Sequence, residues 1–124
     1  MGYNKYGWKQ NKTIKYIQSH QIINSKDEIY SNEPFALYLL TDIYSQRSPK
    51  KIKLPNIEVN VSELKYIWPE HDNSYLIWFN DFRYLRNSLI KVEKLKTIAN
   101  LKKIASFNDG TIYLVNKKKK AKLL

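Results

Sequence analysis

The sequence predicts an α/β fold: a small three-layer sandwich with a mostly parallel sheet and a C-terminal antiparallel hairpin. Three observations carry that expectation. Helix-patterned and strand-patterned segments alternate along the chain, the arrangement that builds sheets covered by helices. Tyr75-Leu76-Ile77-Trp78-Phe79 is apolar on both faces, as a central strand requires. Asn108-Asp109-Gly110 sits between two β-rich runs, a short-range hairpin signal.

The elements follow in order. Trp8, Ile14 and Ile17 recur at helical spacing, so residues 9–20 are expected to form an amphipathic helix. Ile29-Tyr30-Ser31 reads as a short strand. Asn32-Glu33-Pro34 then sets a capping residue, an acid and a proline in the order that starts a helix. Phe35 to Leu40 is apolar all round, which suits a buried helix. Residues 44–56 are a loop with a brief edge strand at Ile52 and Leu54, flanked by Pro49 and Pro55. Ser62-Glu63-Leu64 opens a short helix that runs to Trp68 and is stopped by Pro69. After the central strand, Leu89, Val92, Leu95, Ile98 and Ala99 mark a second amphipathic helix near 88–99. Ile104–Phe107 and Thr111–Val115 form the hairpin.

Composition narrows the function. The chain has 124 residues, enough for one domain, expected over 1–116, followed by a basic tail over 117–124. It has no cysteine, which excludes disulfides, thiolate metal sites and a cysteine nucleophile. His20 and His71 lie far apart with no ligand spacing around either, so neither a metal site nor a cofactor is expected. The formal charge is +11; Lys117 to Lys122 contribute five of it and leave +6 on the body. Such a run is ordinarily a solvated terminus, and its functional counterpart is attraction to phosphate or anionic lipid. No stretch approaches the 18 apolar residues of a membrane span. Met1 to Lys5 lacks the apolar core of a signal peptide, which leaves a cytoplasmic protein or a piece of a larger one.

No phosphate-cradling glycine motif and no nucleophile elbow is present. The carboxylate pairs Asp27-Glu28 and Glu70 with Asp72 fall in polar breaks and read as solvated loop acids. The best-placed polar residues follow strands, where open α/β sheets hold ligands: Ser31, Asn32 and Glu33 after the first strand, and Asn80, Asp81 and Arg83 after the central one. Helix capping and loop chemistry are the competing explanations for them. Tyr3, Tyr6 and Trp8 among Lys5, Lys9 and Lys12 resemble stacking interleaved with phosphate contacts, the pattern of a nucleic-acid binder. No nucleic-acid-binding motif accompanies it, so specific recognition of that kind is not expected.

Several segments resemble a family. Gly2-Tyr3-Asn4, Trp8 to Ile14, Ile29 to Pro34, Leu37 to Thr41 and Ile104 to Tyr113 are similar to the soluble domain that follows the last membrane helix of bacterial multi-pass glycosyltransferases, the dolichyl-phosphate-mannose and aminoarabinose transferase-like proteins. That domain tends to read G-Y-N, W-x-x-S, Y-S-N-x-P and Y-x-L-T-G-R. Asn11 stands here in place of its serine, and Asp42-Ile43 in place of Gly-Arg, with Arg47 the nearest substitute for that arginine. The resemblance implies a non-catalytic accessory domain on the extracytoplasmic side of a membrane, whose partners are the membrane-embedded portion of the same polypeptide, lipid headgroups or a glycan acceptor. The catalytic acids of such transferases lie in the membrane portion. The alternative is a small basic cytoplasmic nucleic-acid-binding protein.

Overall fold

The computed structural model describes residues 10–21, 23, 27–53, 57, 58, 60–80 and 89–118, with the backbone alone for 52, 53, 57 and 58. Among them are four helices, α1 (Lys12–His20), α2 (Pro34–Thr41), α3 (Val61–Leu64) and α4 (Val92–Leu95). The strands are β1 (Ile29–Ser31), β2 (Gln46–Arg47), β3 (Ile52–Lys53), β4 (Ile57–Glu58), β5 (Ser74–Phe79), β6 (Ala99–Phe107) and β7 (Gly110–Lys117). The fold is α/β, around one five-stranded sheet of order β2-β1-β5-β7-β6.

The sheet is mixed, which corrects the expectation of a mostly parallel one. β1 pairs in parallel with β2 and β5, whereas β7 is antiparallel to both β5 and β6. The chain passes β1, α2, β2 and returns through α3 to β5, and such helical crossovers produce parallel neighbours. The hairpin then docks through its second strand. β7 meets β5 over six residue pairs, Ser74–Val115 to Phe79–Gly110, and thus carries half of the sheet's interfaces into antiparallel order. β6 is left at the edge, where exposed Lys102 and Lys103 discourage pairing with another chain.

Tyr75 to Phe79 is central, and its alternate residues feed two apolar clusters. Ile77 and Phe79 pack with Ile14 and Ile17 of α1 and Ala36 and Leu37 of α2. Leu76 packs with Leu64, Trp68, Val92, Leu95 and Val115, and Trp78 borders that cluster only half-buried. Two-sided burial is therefore what the unbroken apolar run encodes.

Local chemistry sets the element ends. Asn11 caps α1, its side chain accepting from the Ile14 N–H at 3.0 Å. A second cap comes from the hairpin turn. The Asp109 carboxylate accepts from the Lys12 N–H (2.7 Å), the Thr13 N–H (3.1 Å) and the Thr13 hydroxyl (2.7 Å). Gly110 permits this approach, since a Cβ there would lie 2.5 Å from Thr13 Oγ1 and 2.9 Å from the Trp78 carbonyl oxygen. Helix α1 begins at Lys12, and Trp8 lies outside the described residues.

Four expectations are revised. Helix α2 is not buried all round: Ala36 and Leu37 face the core while Phe35 and Leu39 are exposed. The helix expected near 88–99 is the single turn α4, because the chain joins β6 from Ala99 onward; the apolar positions Leu89, Val92, Leu95, Ile98 and Ala99 are nonetheless all buried. The hairpin is longer than 104–115, running from Ala99 to Lys117, one residue into the expected tail, with an irregularity between Lys103 and Ala105. The segment 44–56 reaches the main sheet through Gln46–Arg47, the edge opposite β6, whereas Ile52–Lys53 pairs with β4 in a separate two-stranded ladder.

Candidate functional site

Four of the six sequence-predicted residues meet at the carboxyl ends of β1 and β5. From this point β1 leads to β2 on one side, and the chain after β5 leads to the β6–β7 hairpin on the other. Such a divergence is where open α/β sheets open a ligand crevice. Here the fork is closed by Asn32. Its amide donates to the Phe79 carbonyl at 2.7 Å and accepts from the Phe79 N–H at 2.8 Å, so the side chain adds one more rung between the strands. Ser31 is used in the same way: its hydroxyl accepts from the Glu33 N–H (3.0 Å) and its carbonyl from the Ser48 N–H (2.9 Å). Asn80 ties β5 to the hairpin turn, its N–H donating to the Asp109 carbonyl at 2.9 Å and its amide to the Asn108 carbonyl at 3.2 Å.

Glu33 is different. The residue is 6% exposed and precedes α2 without a side-chain cap bond. Burial raises its carboxyl above the ordinary glutamate range, opposed by the positive charge of Arg47 on β2. Ser48, also buried, has a hydroxyl without a hydrogen-bond partner. Asp81 and Arg83 lie outside the described residues. Most of this polar cluster therefore holds backbone together, and Glu33 is its one buried carboxyl.

The amino-terminal end of the same strands holds a cluster that sequence reasoning missed. Glu28, read as a solvated loop acid, has a side chain only 14% exposed. Its carboxylate accepts from the Ser74 hydroxyl (2.6 Å), the Tyr30 hydroxyl (2.9 Å) and the His71 N–H (3.0 Å). The His71 ring lies 3.4 Å away. Burial pushes the Glu28 carboxyl up, but the bonds from Ser74, Tyr30 and the His71 backbone, with the His71 ring, outweigh it and hold the group below its usual range. Burial, then the Glu28 charge, pushes the Tyr30 hydroxyl above the tyrosine range. Glu70 completes the group: ligand atoms of Glu28, Glu70 and His71 lie within 4.8 Å of one another. Asp72 serves the fold instead, accepting from the Lys117 N–H at 2.7 Å.

Surface cavities bordered by described residues lie elsewhere. One, of about 300 Å³, is bordered by Ile17, Gln18, Leu40, Thr41 and Ile43, where α1 and α2 end. Another, of about 610 Å³, is bordered by Asp72, Asn100, Asn116, Lys117 and Lys118. Among the described residues, large apolar side chains are exposed around α2, where Phe35 is 59%, Leu39 52% and Tyr44 71% exposed and Tyr38 stacks on Tyr44 with ring centroids 4.5 Å apart, and after α3 at Tyr66 and Ile67. No described helix is long and apolar enough to cross a membrane. Comparison of the chain with protein-family models, with curated proteins and with solved structures yields no match.

Proposed function

We propose that this chain is a non-catalytic accessory domain of a membrane-embedded glycosyltransferase-like protein, set by α2 against the membrane portion of the same polypeptide. The observation that carries the reading is the outward face of α2. Phe35 and Leu39, one helical turn apart, project from a chain of net charge +11, and the stacked Tyr38 and Tyr44 extend the patch with rings that have apolar bodies and polar tips. A contiguous exposed apolar patch on a charged domain marks a contact surface. β1 and α2 are also the elements that bear Ile29 to Pro34 and Leu37 to Thr41, two of the segments on which the family resemblance rests. The non-catalytic part of the reading is supported by the polar residues at the carboxyl ends of β1 and β5, whose hydrogen bonds go to backbone. A three-layer arrangement, with helices on both faces of the sheet, belongs to the same reading and is supported by the two separate apolar clusters.

Photo-cross-linking in the source cells tests this. A photoreactive residue at Leu39 is expected to cross-link to membrane segments of its own polypeptide, and one at Lys102, on the sheet edge, is not. Equal labelling of soluble proteins from both positions would overturn the assignment. A second reading, a basic nucleic-acid-binding protein, is favoured by Lys117 and Lys118 at the rim of the larger groove. It predicts cross-links to nucleic acid from Asn100 or Asn116 that weaken steeply with salt.

A further inference from the structure

We propose that Glu28, Glu70 and His71 form a binding site for a divalent first-row transition ion, with zinc the best-suited. Three features distinguish the cluster from an ordinary acidic patch. One is its composition. Two carboxylates and an imidazole form a mixed oxygen–nitrogen set, and imidazole selects zinc and its neighbours over magnesium or calcium.

The second feature is preorganisation. Glu28 is fixed from three sides by Tyr30, Ser74 and the His71 N–H, the supporting shell that orients a metal-binding carboxylate. Oε1 takes the bonds from Ser74 and the His71 N–H and faces the His71 Nδ1 at 3.4 Å, whereas Oε2 receives only that from Tyr30, which leaves Oε2 a lone pair for an ion toward which the exposed imidazole must turn. Glu70 and His71 are exposed and adjacent in sequence, free to rotate toward it. Donors about 2.0–2.2 Å from a tetrahedral ion stand roughly 3.3–3.6 Å apart. Closing from within 4.8 Å thus asks for side-chain rotation of the two exposed residues, with the strands unmoved. Three protein donors leave a coordination position for water.

The third is electrostatic. In a chain with 22 lysines and arginines, none of them pairs with Glu28 or Glu70 among the described residues; the ion pair found there is His71 with Glu28. Two carboxylates converge on one imidazole, and a divalent ion would neutralise the excess charge.

Isothermal titration of zinc chloride, and separately of manganese chloride, into the full chain tests the site. The account predicts one zinc per chain, bound more tightly than manganese, and a thermal midpoint that rises with zinc. His71→Ala and Glu70→Gln, both at exposed positions, are each expected to weaken binding at least about tenfold while melting like the parent chain without metal. His20→Ala, which removes the other histidine, is expected to bind normally. Absence of saturable one-to-one binding would overturn the proposal, as would zinc binding that survives both His71→Ala and Glu70→Gln or is lost with His20→Ala.

Discussion

Asn32→Ala is expected to destabilise the protein by about 2–5 kcal/mol. Asn32 is 3% exposed, and its amide makes two short hydrogen bonds, 2.7 Å to the Phe79 carbonyl and 2.8 Å from the Phe79 N–H. Alanine strips both bonds from a buried N–H and a buried carbonyl. Stranding one such group costs about 1–3 kcal/mol, and the two belong to one residue and are lost together, so their sum is the upper bound. Asn32→Asp sharpens the test. Its carboxylate keeps an acceptor for the Phe79 N–H but sets a second oxygen against the Phe79 carbonyl oxygen, where the native amide donates. Above the aspartate pKa this variant should be no more stable than alanine; near pH 3, where the acid is protonated and can donate, it should recover part of the difference. Urea denaturation at pH 7 and pH 3 measures both. A loss under about 0.5 kcal/mol for Asn32→Ala, within the range of surface substitutions, would refute the structural role and return Asn32 to the ligand-binding one.

Asp109→Ala removes three hydrogen bonds to the start of α1 and should cost about 2–4 kcal/mol, read as a shift in the urea midpoint; a change below about 0.5 kcal/mol would mean that Asn11 alone caps the helix. Glu33→Gln should stabilise the protein at neutral pH. Burial raises the folded carboxyl pKa, so the folded state holds this proton more tightly, and the native chain loses stability as pH rises from the ordinary glutamate value through the raised one. The gain should vanish below about pH 4, and a variant less stable at pH 7 in thermal melts would show that attraction to Arg47 outweighs burial. Asp42 ends α2 at φ 62°, the left-handed cap that favours glycine, so Asp42→Gly should raise stability by about 0.5–1 kcal/mol; a thermal midpoint that falls would contradict the cap reading.

What the sequence makes legible is local. Asn32-Glu33-Pro34 marks the passage from β1 to α2 because proline in the first helical turn acts locally, although neither Asn32 nor Glu33 caps the helix with its side chain. Tyr75 to Phe79 announces a central strand because both its faces are apolar. The apolar positions from Leu89 to Ala99 correctly predict burial, yet not the element: their helical spacing persists into β6, where pairing with β7 overrides it. The mixed sheet could not be read, since nothing local says that β7 and not β6 meets β5. The sequence puts Asn32 at the right fork, but as a helix cap or ligand contact, because its partner Phe79 is 47 residues away. Glu28 and His71 are likewise 43 residues apart, and only the parallel pairing of β1 with β5 brings them together. Spacing rules for metal ligands look along the chain and pass over such a pair. Helix α2 is apolar throughout and so reads as buried; a contact surface has the same composition as a core, and exposure alone tells them apart.

The most direct test of the proposed role is the size and location of the natural polypeptide. With an epitope tag placed after Leu124 at the native locus, membrane and soluble fractions of the source cells are compared by immunoblot after a carbonate wash. The account predicts a species far larger than 14.8 kDa, retained in the washed membranes, with the tag accessible to antibody from outside the cytoplasm. A tagged product near 14.8 kDa in the soluble fraction would contradict it.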